Sequence, residues 1–327
     1  MVATIGSIGG CDSRGERVHG PGDVRIAAGD YAAWIAPEGG APRTLTWRDD
    51  DLLVPGVPTA ESGPFPPMTA QCVLAPWPNR VADGVFAHGG EVHRLEVTEE
   101  SRATAIHGFA ASRRWEVAEV AEDAVTLTLD VGPEPGWPWP LRLSARWSVD
   151  PDTGLRGGLS VRNLSDAPCP FGLGWHPYLS ACGAPLDDCA LEVPVATTLP
   201  LDPVRNLPAG PEVPADVAAP GIAAGMPMAG VWLDHCFGGA GGGAGSVATL
   251  TGPDGRGAEL TADPRFRWFQ VYTADPGHGE GFPGAGRAVA VEPMTCPPDA
   301  LRSGRDLVVL EPGEQLTLNV GIRAIGS

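Results

Sequence analysis

The sequence predicts an all-β fold, a large antiparallel sandwich or barrel, on three observations. Apolar and polar residues alternate with period two along several stretches, the signature of a half-buried strand. The 45 glycines and 35 prolines interrupt almost every window in which a 3.6-residue period would build up. Gly/Pro-rich turns separate many short strand-like runs, the pattern of sheet layers or of a closed sheet.

In chain order, Asp23–Ile26 and Tyr31–Ile35 flank Ala-Ala-Gly-Asp and read as a hairpin, followed by a short strand at Thr44–Trp47. Ala124–Asp130 puts Val125, Leu127 and Leu129 on one face. Leu141–Val149 alternates again, Asp150–Gly154 turns, and Leu155–Asn163 returns. Leu307–Leu310 and Leu316–Ile322 flank Glu-Pro-Gly-Glu and read as a second hairpin. Gly132–Pro140 is a stiff loop carrying two tryptophans, and Gly238–Ser246, almost all Gly and Ala, reads as a mobile surface insertion. Residues 1–21 read as a disordered or processed tail and 22–327 as one domain, with no repeat and no linker-like shift in composition.

Composition excludes several classes. A net charge of −18 repels nucleic acid and anionic membrane surfaces. All basic residues are Arg, so no Schiff-base, pyridoxal-phosphate or P-loop lysine exists. The seven cysteines are odd in number and widely spaced, with no Cys-x-x-Cys, which fits reduced thiols in a cytoplasmic protein. The Ile-Gly-Gly-Cys11 ending of the first residues faintly suggests a lipoprotein cleavage site, but no basic residue precedes it. No apolar run is long enough to span a membrane. The chain calls for neither a metal nor a cofactor, and it says nothing about oligomeric state.

The polar clusters centre on Phe171–Leu179, Phe-Gly-Leu-Gly-Trp-His-Pro-Tyr-Leu. Gly172 and Gly174 permit close approach, and Pro177 pushes His176 towards an extended conformation. His176 is therefore held at a strand end beside an aromatic wall, a candidate general acid in a sugar pocket. Asn79 and Arg80 follow a rigid Pro-Trp-Pro; the Arg fork suits neighbouring hydroxyls, and Trp77 offers a ring to a sugar's C–H face. His107 lies between an apolar residue and a glycine at another strand end. The other histidines, His19, His88, His93, His235 and His278, read as surface or loop residues.

Asp234 sits among large apolar residues, where a carboxylate needs hydrogen bonds. Its neighbours His235 and Cys236 point apart on a strand, which argues against a metal site there. Trp268, Gln270 and Tyr272 share one strand face, aromatic bodies with polar tips. Glu292 ends an apolar run before a proline, where partial desolvation raises a carboxyl's pKa towards the range of a base. One carboxylate and one histidine can open and reclose a hemiacetal ring without a metal, each proton transfer contributing roughly 10²–10⁴-fold.

Pro76-Trp-Pro-Asn79-Arg80, Ile-His107-Gly, Gly-Trp-His176-Pro-Tyr178, Leu-Asp234, Gln270-Val-Tyr and Val-Glu292-Pro-Met-Thr stand in an order and spacing that resemble the aldose 1-epimerase (galactose mutarotase) family, over residues 23–323. The resemblance implies the galactose mutarotase-like supersandwich. It implies Glu292 as base on the anomeric hydroxyl and His176 as acid at the ring oxygen. It further implies that Asn79, Arg80, His107, Tyr178, Asp234 and Gln270 hold the sugar. The wording around Asn79-Arg80 and Glu292 is similar to a bacterial branch that includes sulfoquinovose mutarotase-like proteins. A phosphorylated or sulfonated sugar is the alternative, with Arg113 and Arg114 as candidate anion clamps, and so is a non-catalytic carbohydrate-binding sandwich.

Overall fold

The computed structural model describes residues 19–57, 66–240 and 245–326. Two large antiparallel sheets dominate it. One has nine strands, in the spatial order Glu116–Val120, Ala124–Val131, Leu141–Asp150, Gly154–Asn163, Gln315–Ile325, Gly257–Ala262, Ser246–Thr251, Ala190–Glu192, Met226–Pro227. The other, of eight, runs Val213–Pro214, Thr197–Leu199, Asp234–Gly238, Trp268–Ala274, Ala288–Met294, Gly174–Trp175, Val73–Leu74, with Tyr178–Leu179 also paired to Ala288–Met294. A four-stranded sheet begins the described chain with the expected hairpin, Val24–Ala28 against Tyr31–Ala36.

The inward faces of the two large sheets share one core. Leu141, Leu143, Ala145, Trp147 and Val149 are buried, while Arg142 and Arg146 between them face solvent. From the opposite sheet Phe269, Val271, Val289 and Val291 enter the same cluster. Trp147 meets Trp175 across the gap with ring centroids 5.2 Å apart. The expected all-β sandwich is therefore present; its one α-helix among the described residues is Ala300–Ser303.

The expected C-terminal hairpin is not. Val308–Leu310 pairs with Cys169–Phe171, and Gln315–Ile325 lies between Gly154–Asn163 and Gly257–Ala262. Glu311–Glu314 does form a tight turn, with the Glu314 N–H donating to the Glu311 carbonyl at 2.9 Å. It turns a corner between sheets, and local turn chemistry cannot tell a corner from a hairpin.

Trp137 and Trp139 of the stiff loop are buried against Trp77, Phe86 and Phe109. His93, expected at the surface, is buried in the same cluster, stacked on Phe86. Residues 1–18 of the expected tail and 241–244 of the glycine-rich insertion lie outside the described residues; His19 stacks on Trp34. The six described cysteines are free, and among the described residues no helix is long and apolar enough to cross a membrane.

Candidate active site

The site lies on the outer face of the eight-stranded sheet, and period-two alternation builds it. On Trp268–Ala274 and Ala288–Met294 the odd-numbered valines enter the core, so the even-numbered residues emerge on the other side. Gln270 pairs in register with Glu292, and Asp234 with Tyr272, which brings all four to one face. His176 and Tyr178 leave the sheet on either side of Pro177; their rings stack at 5.3 Å, so the wall beside His176 is Tyr178. Trp175 turns inward and donates its indole N–H to the Gln71 carbonyl.

The remaining wall comes from the segment after Pro78. Gly172 and Gly174 allow this approach: a Cβ on Gly172 would lie 2.8 Å from a Pro78 ring carbon, and one on Gly174 2.9 Å from another. Asn79 and His107 both take left-handed backbone conformations, φ 57° and 63°, which turn their side chains out of the paired strands Arg80–Ala82 and Thr104–Ile106. The Asn79 N–H donates to His107 Nδ1 at 3.3 Å, so neutral His107 carries its proton on Nε2.

These elements enclose a cavity of about 320 Å³ lined by Asn79, Arg80, His107, His176, Tyr178, Asp234, Gln270 and Glu292, all eight of the site residues expected from sequence. Met68, Thr69, Glu99, Arg102, Tyr272 and Glu280 complete it. Two expected aromatic platforms are absent. Trp77 packs in the core edge-on to Phe109, and Trp268 lies beside the pocket, bonded to Asp306 and covered by Arg305. Glu99 was not legible: in Thr-Glu-Glu-Ser-Arg it looks like part of a solvated charge run.

At the floor, His176 Nε2 stands 3.3 Å from Glu292 Oε1, both side chains almost fully buried. Burial, reinforced by the negative charge of Asp234, pushes the Glu292 carboxyl well above the usual range, with Arg80 opposing. Burial pushes His176 down to about 4. Burial also pushes His107 well below its usual value, helped by His176 and Arg80. Both members of the His176–Glu292 pair thus favour their neutral forms, and together they hold one proton over the intervening pH range. Glu292 Oε2, His176 Nδ1 and Gln270 Oε1 are buried without a hydrogen-bond partner. Unsatisfied buried atoms are costly, and each of these three needs a partner that no side chain or backbone group around it supplies.

Around the floor the polar groups are oriented. Gln270 Nε2 donates to Asp234 Oδ1 at 2.6 Å, which leaves its carbonyl oxygen as the free acceptor. Arg80 donates through Nε and Nη2 to the two oxygens of Glu99 at 2.8 and 2.9 Å. Thr104 bonds the same carboxylate, and Arg102 pairs with it at 3.3 Å. Burial alone would depress Arg80, but Glu99 overrides it and holds the guanidinium charged. Arg113 and Arg114 lie elsewhere, paired with Glu134 and Glu38. Among the described residues no group of three or more His, Cys, Asp or Glu is arranged to hold a metal ion.

The outer face of the sandwich thus sets a dehydrated histidine–carboxylate pair among hydrogen-bond donors and acceptors, the arrangement of a general acid–base site. Sequence comparison makes the class particular: the aldose 1-epimerase family model matches residues 30–323, and the chain belongs to that family. It is 32% identical over 298 residues to the uncharacterized protein YihR of Escherichia coli K12, covering 89% of each chain. A putative aldose 1-epimerase from Escherichia coli K12 superimposes with a TM-score of 0.77 at 23% identity, over 93% of this chain and 98% of that one. The GalM/aldose epimerase homologue from C. elegans gives 0.79 at 16%, again over 93% and 98%. The sandwich is therefore the galactose mutarotase-like fold that the sequence resemblance implies.

Proposed function

We propose that this aldose 1-epimerase family member interconverts the α and β anomers of a neutral aldohexose or close relative by general acid–base ring opening and reclosure. The observation that carries the reading is the 3.3 Å contact between His176 Nε2 and Glu292 Oε1 on the floor of a sugar-sized cavity. In the reactive state the proton sits on His176 and Glu292 is ionised. Glu292 takes the anomeric hydroxyl proton as the bond from C1 to the ring oxygen breaks, and His176 protonates the ring oxygen. The open aldehyde then faces a neutral histidine and a neutral carboxylic acid, the pair that burial favours. Rotation about C1–C2 and the reverse transfers close the ring on its other face and restore the starting proton. Asn79, Arg80, His107, Tyr178, Asp234 and Gln270 hold the sugar, with His107 Nε2–H as donor and Gln270 Oε1 as acceptor.

Charge supports a neutral substrate over a phosphorylated or sulfonated one. Beside the His176–Glu292 pair, which carries no net charge while it holds one proton, three carboxylates line the cavity, Glu99, Asp234 and Glu280, against two guanidiniums, Arg80 and Arg102, both engaged by Glu99. An anionic substituent would have to displace Glu99 to find a cation. A binding-only role fits less well, since recognition of hydroxyls gives no reason to keep an acid and a base in contact where both are dehydrated. The free thiols also suit a cytoplasmic enzyme; recovery of the native protein from any other cell fraction would remove that part. Anomer-exchange NMR across neutral, phosphorylated and sulfonated aldoses tests the reading. Exchange of neutral aldoses is expected, and a protein that binds them without speeding exchange would refute it.

A further inference from the structure

The turn at residues 202–207 lines no part of the cavity, yet it grips both of the cavity's sides. Asp202 builds it: its carboxylate accepts the N–H groups of Val204, Arg205 and Leu207 at 3.1, 2.7 and 3.1 Å. Asn206, buried and left-handed at φ 57°, donates through Nδ2 to Asp234 Oδ2 at 2.8 Å. Asn is among the few side-chain-bearing residues that adopt this conformation at low cost. Arg205 reaches the opposite way, donating to the Arg102 and Ala103 carbonyls at 2.9 and 2.8 Å and to Asp83 at 2.8 Å. Arg102 returns a bond to the Val204 carbonyl at 3.2 Å.

We infer that Asn206 is a positioning residue for the sugar site, acting through Asp234. The inference rests on the proposed role of Asp234 in holding the sugar. Asp234 has one oxygen bonded by Asn206 and the other by Gln270. Its carboxylate plane is fixed between two amide donors, and the amide of Gln270 is locked with its acceptor oxygen unpaired. Without the Asn206 donor, Asp234 keeps only its bond from Gln270 and is free to rotate, and the Gln270 amide, which still donates to it, loses its fixed orientation. The charged and titratable groups facing Asp234 are Glu292, Arg80, Tyr178, Tyr272 and His235. None of them supplies a substitute donor bond to its oxygens among the hydrogen bonds found there.

The test uses two variants of the full chain that both tolerate the left-handed backbone, with D-galactose and D-glucose as probes. Asn206→Gly removes the donor, and KM is expected to rise about tenfold or more while kcat changes much less, the scale of a lost hydrogen bond to a charged group. Asn206→Asp sets a second carboxylate against Asp234. Its KM is expected to rise at neutral pH and to recover towards pH ~5, as the two carboxyls come to share a proton. KM within about twofold of wild type in both variants overturns the inference at that resolution of effect. So does a loss confined to kcat, or an Asn206→Asp defect that pH does not relieve. If wild-type protein exchanges no anomers, the functional reading fails. The same two variants are then read by the sugar Kd from tryptophan fluorescence, and an unchanged Kd overturns the inference separately.

Discussion

Gln270 and Glu292 face each other as register partners on neighbouring antiparallel strands, and their next neighbours Val271 and Val291 pair in the core. One sheet thus buries its valines on one side and presents an amide and a carboxyl on the other. The pocket follows from this alternation, and a one-residue slip of Ala288–Met294 would move Glu292 into the core.

The pH–rate profile of kcat/KM should be bell-shaped, with both limbs belonging to the His176–Glu292 pair. The acid limb is expected near pH 4, where His176 takes a second proton onto the pair. The alkaline limb is expected well above the usual carboxylate range, where Glu292 loses the shared proton. Rates measured across the stable pH range on D-galactose check this, and an acid limb near pH 6.5 would contradict the burial of His176.

Stability should carry the same signature with a defined sign. Native His176 binds its proton more weakly than the unfolded chain, so unfolding takes up a proton and stability falls as pH drops from about 6.5 towards 4. His176→Asn should lack this loss, so its stability relative to wild type should improve between pH 7 and pH 4 by on the order of 2–3 kcal/mol. Glu292 has the opposite shift: its folded pKa is raised, so its cost appears as pH rises above 4.5. Glu292→Gln should therefore gain stability relative to wild type as pH rises from 4.5 to neutral. Urea titrations from pH 4 to 8 read both, and parallel curves for wild type and His176→Asn would count against the first.

Glu99→Gln should raise KM and destabilise the fold by about 2–4 kcal/mol, because Arg80 is buried and loses its two-point partner. Arg80→Lys should also raise KM, since an ammonium cannot reproduce the fork. Wild-type KM in both variants would show that the ordered guanidinium does not contribute to sugar binding.

Gly108→Ala should cost about 2–4 kcal/mol and raise KM through its neighbour His107. Gly108 has φ 66°, and an added Cβ would lie 2.2 Å from the Ala75 carbonyl oxygen. Thermal unfolding and sugar titration together check it; a stable variant with wild-type KM would mean that the backbone here relaxes without disturbing His107.

Much of this was legible in the sequence because the information was local. Alternation marks Leu141–Asp150 and its neighbours, and the proline after His176 marks the point where that side chain leaves the strand Gly174–Trp175; Glu292, expected to end its run, instead sits inside Ala288–Met294, whose pairing continues through Pro293 to Met294. The resemblance then links segments that lie far apart in the chain. What escaped was set by distant partners. Val308–Leu310 chose Cys169–Phe171 over its chain neighbour, and Trp77 chose the core because Phe109 and Trp137 were there to receive it. Asn206 reads as an ordinary turn residue until Asp234 is placed beside it.

The most direct test of the proposed chemistry is a double-mutant cycle on anomer exchange, with His176→Asn, Glu292→Gln and the two combined. Each single variant should fall by roughly 10²-fold or more, and the double variant should be scarcely slower than either, because acid and base act as one unit. Losses that multiply would contradict it, as would exchange at the wild-type rate in either single variant.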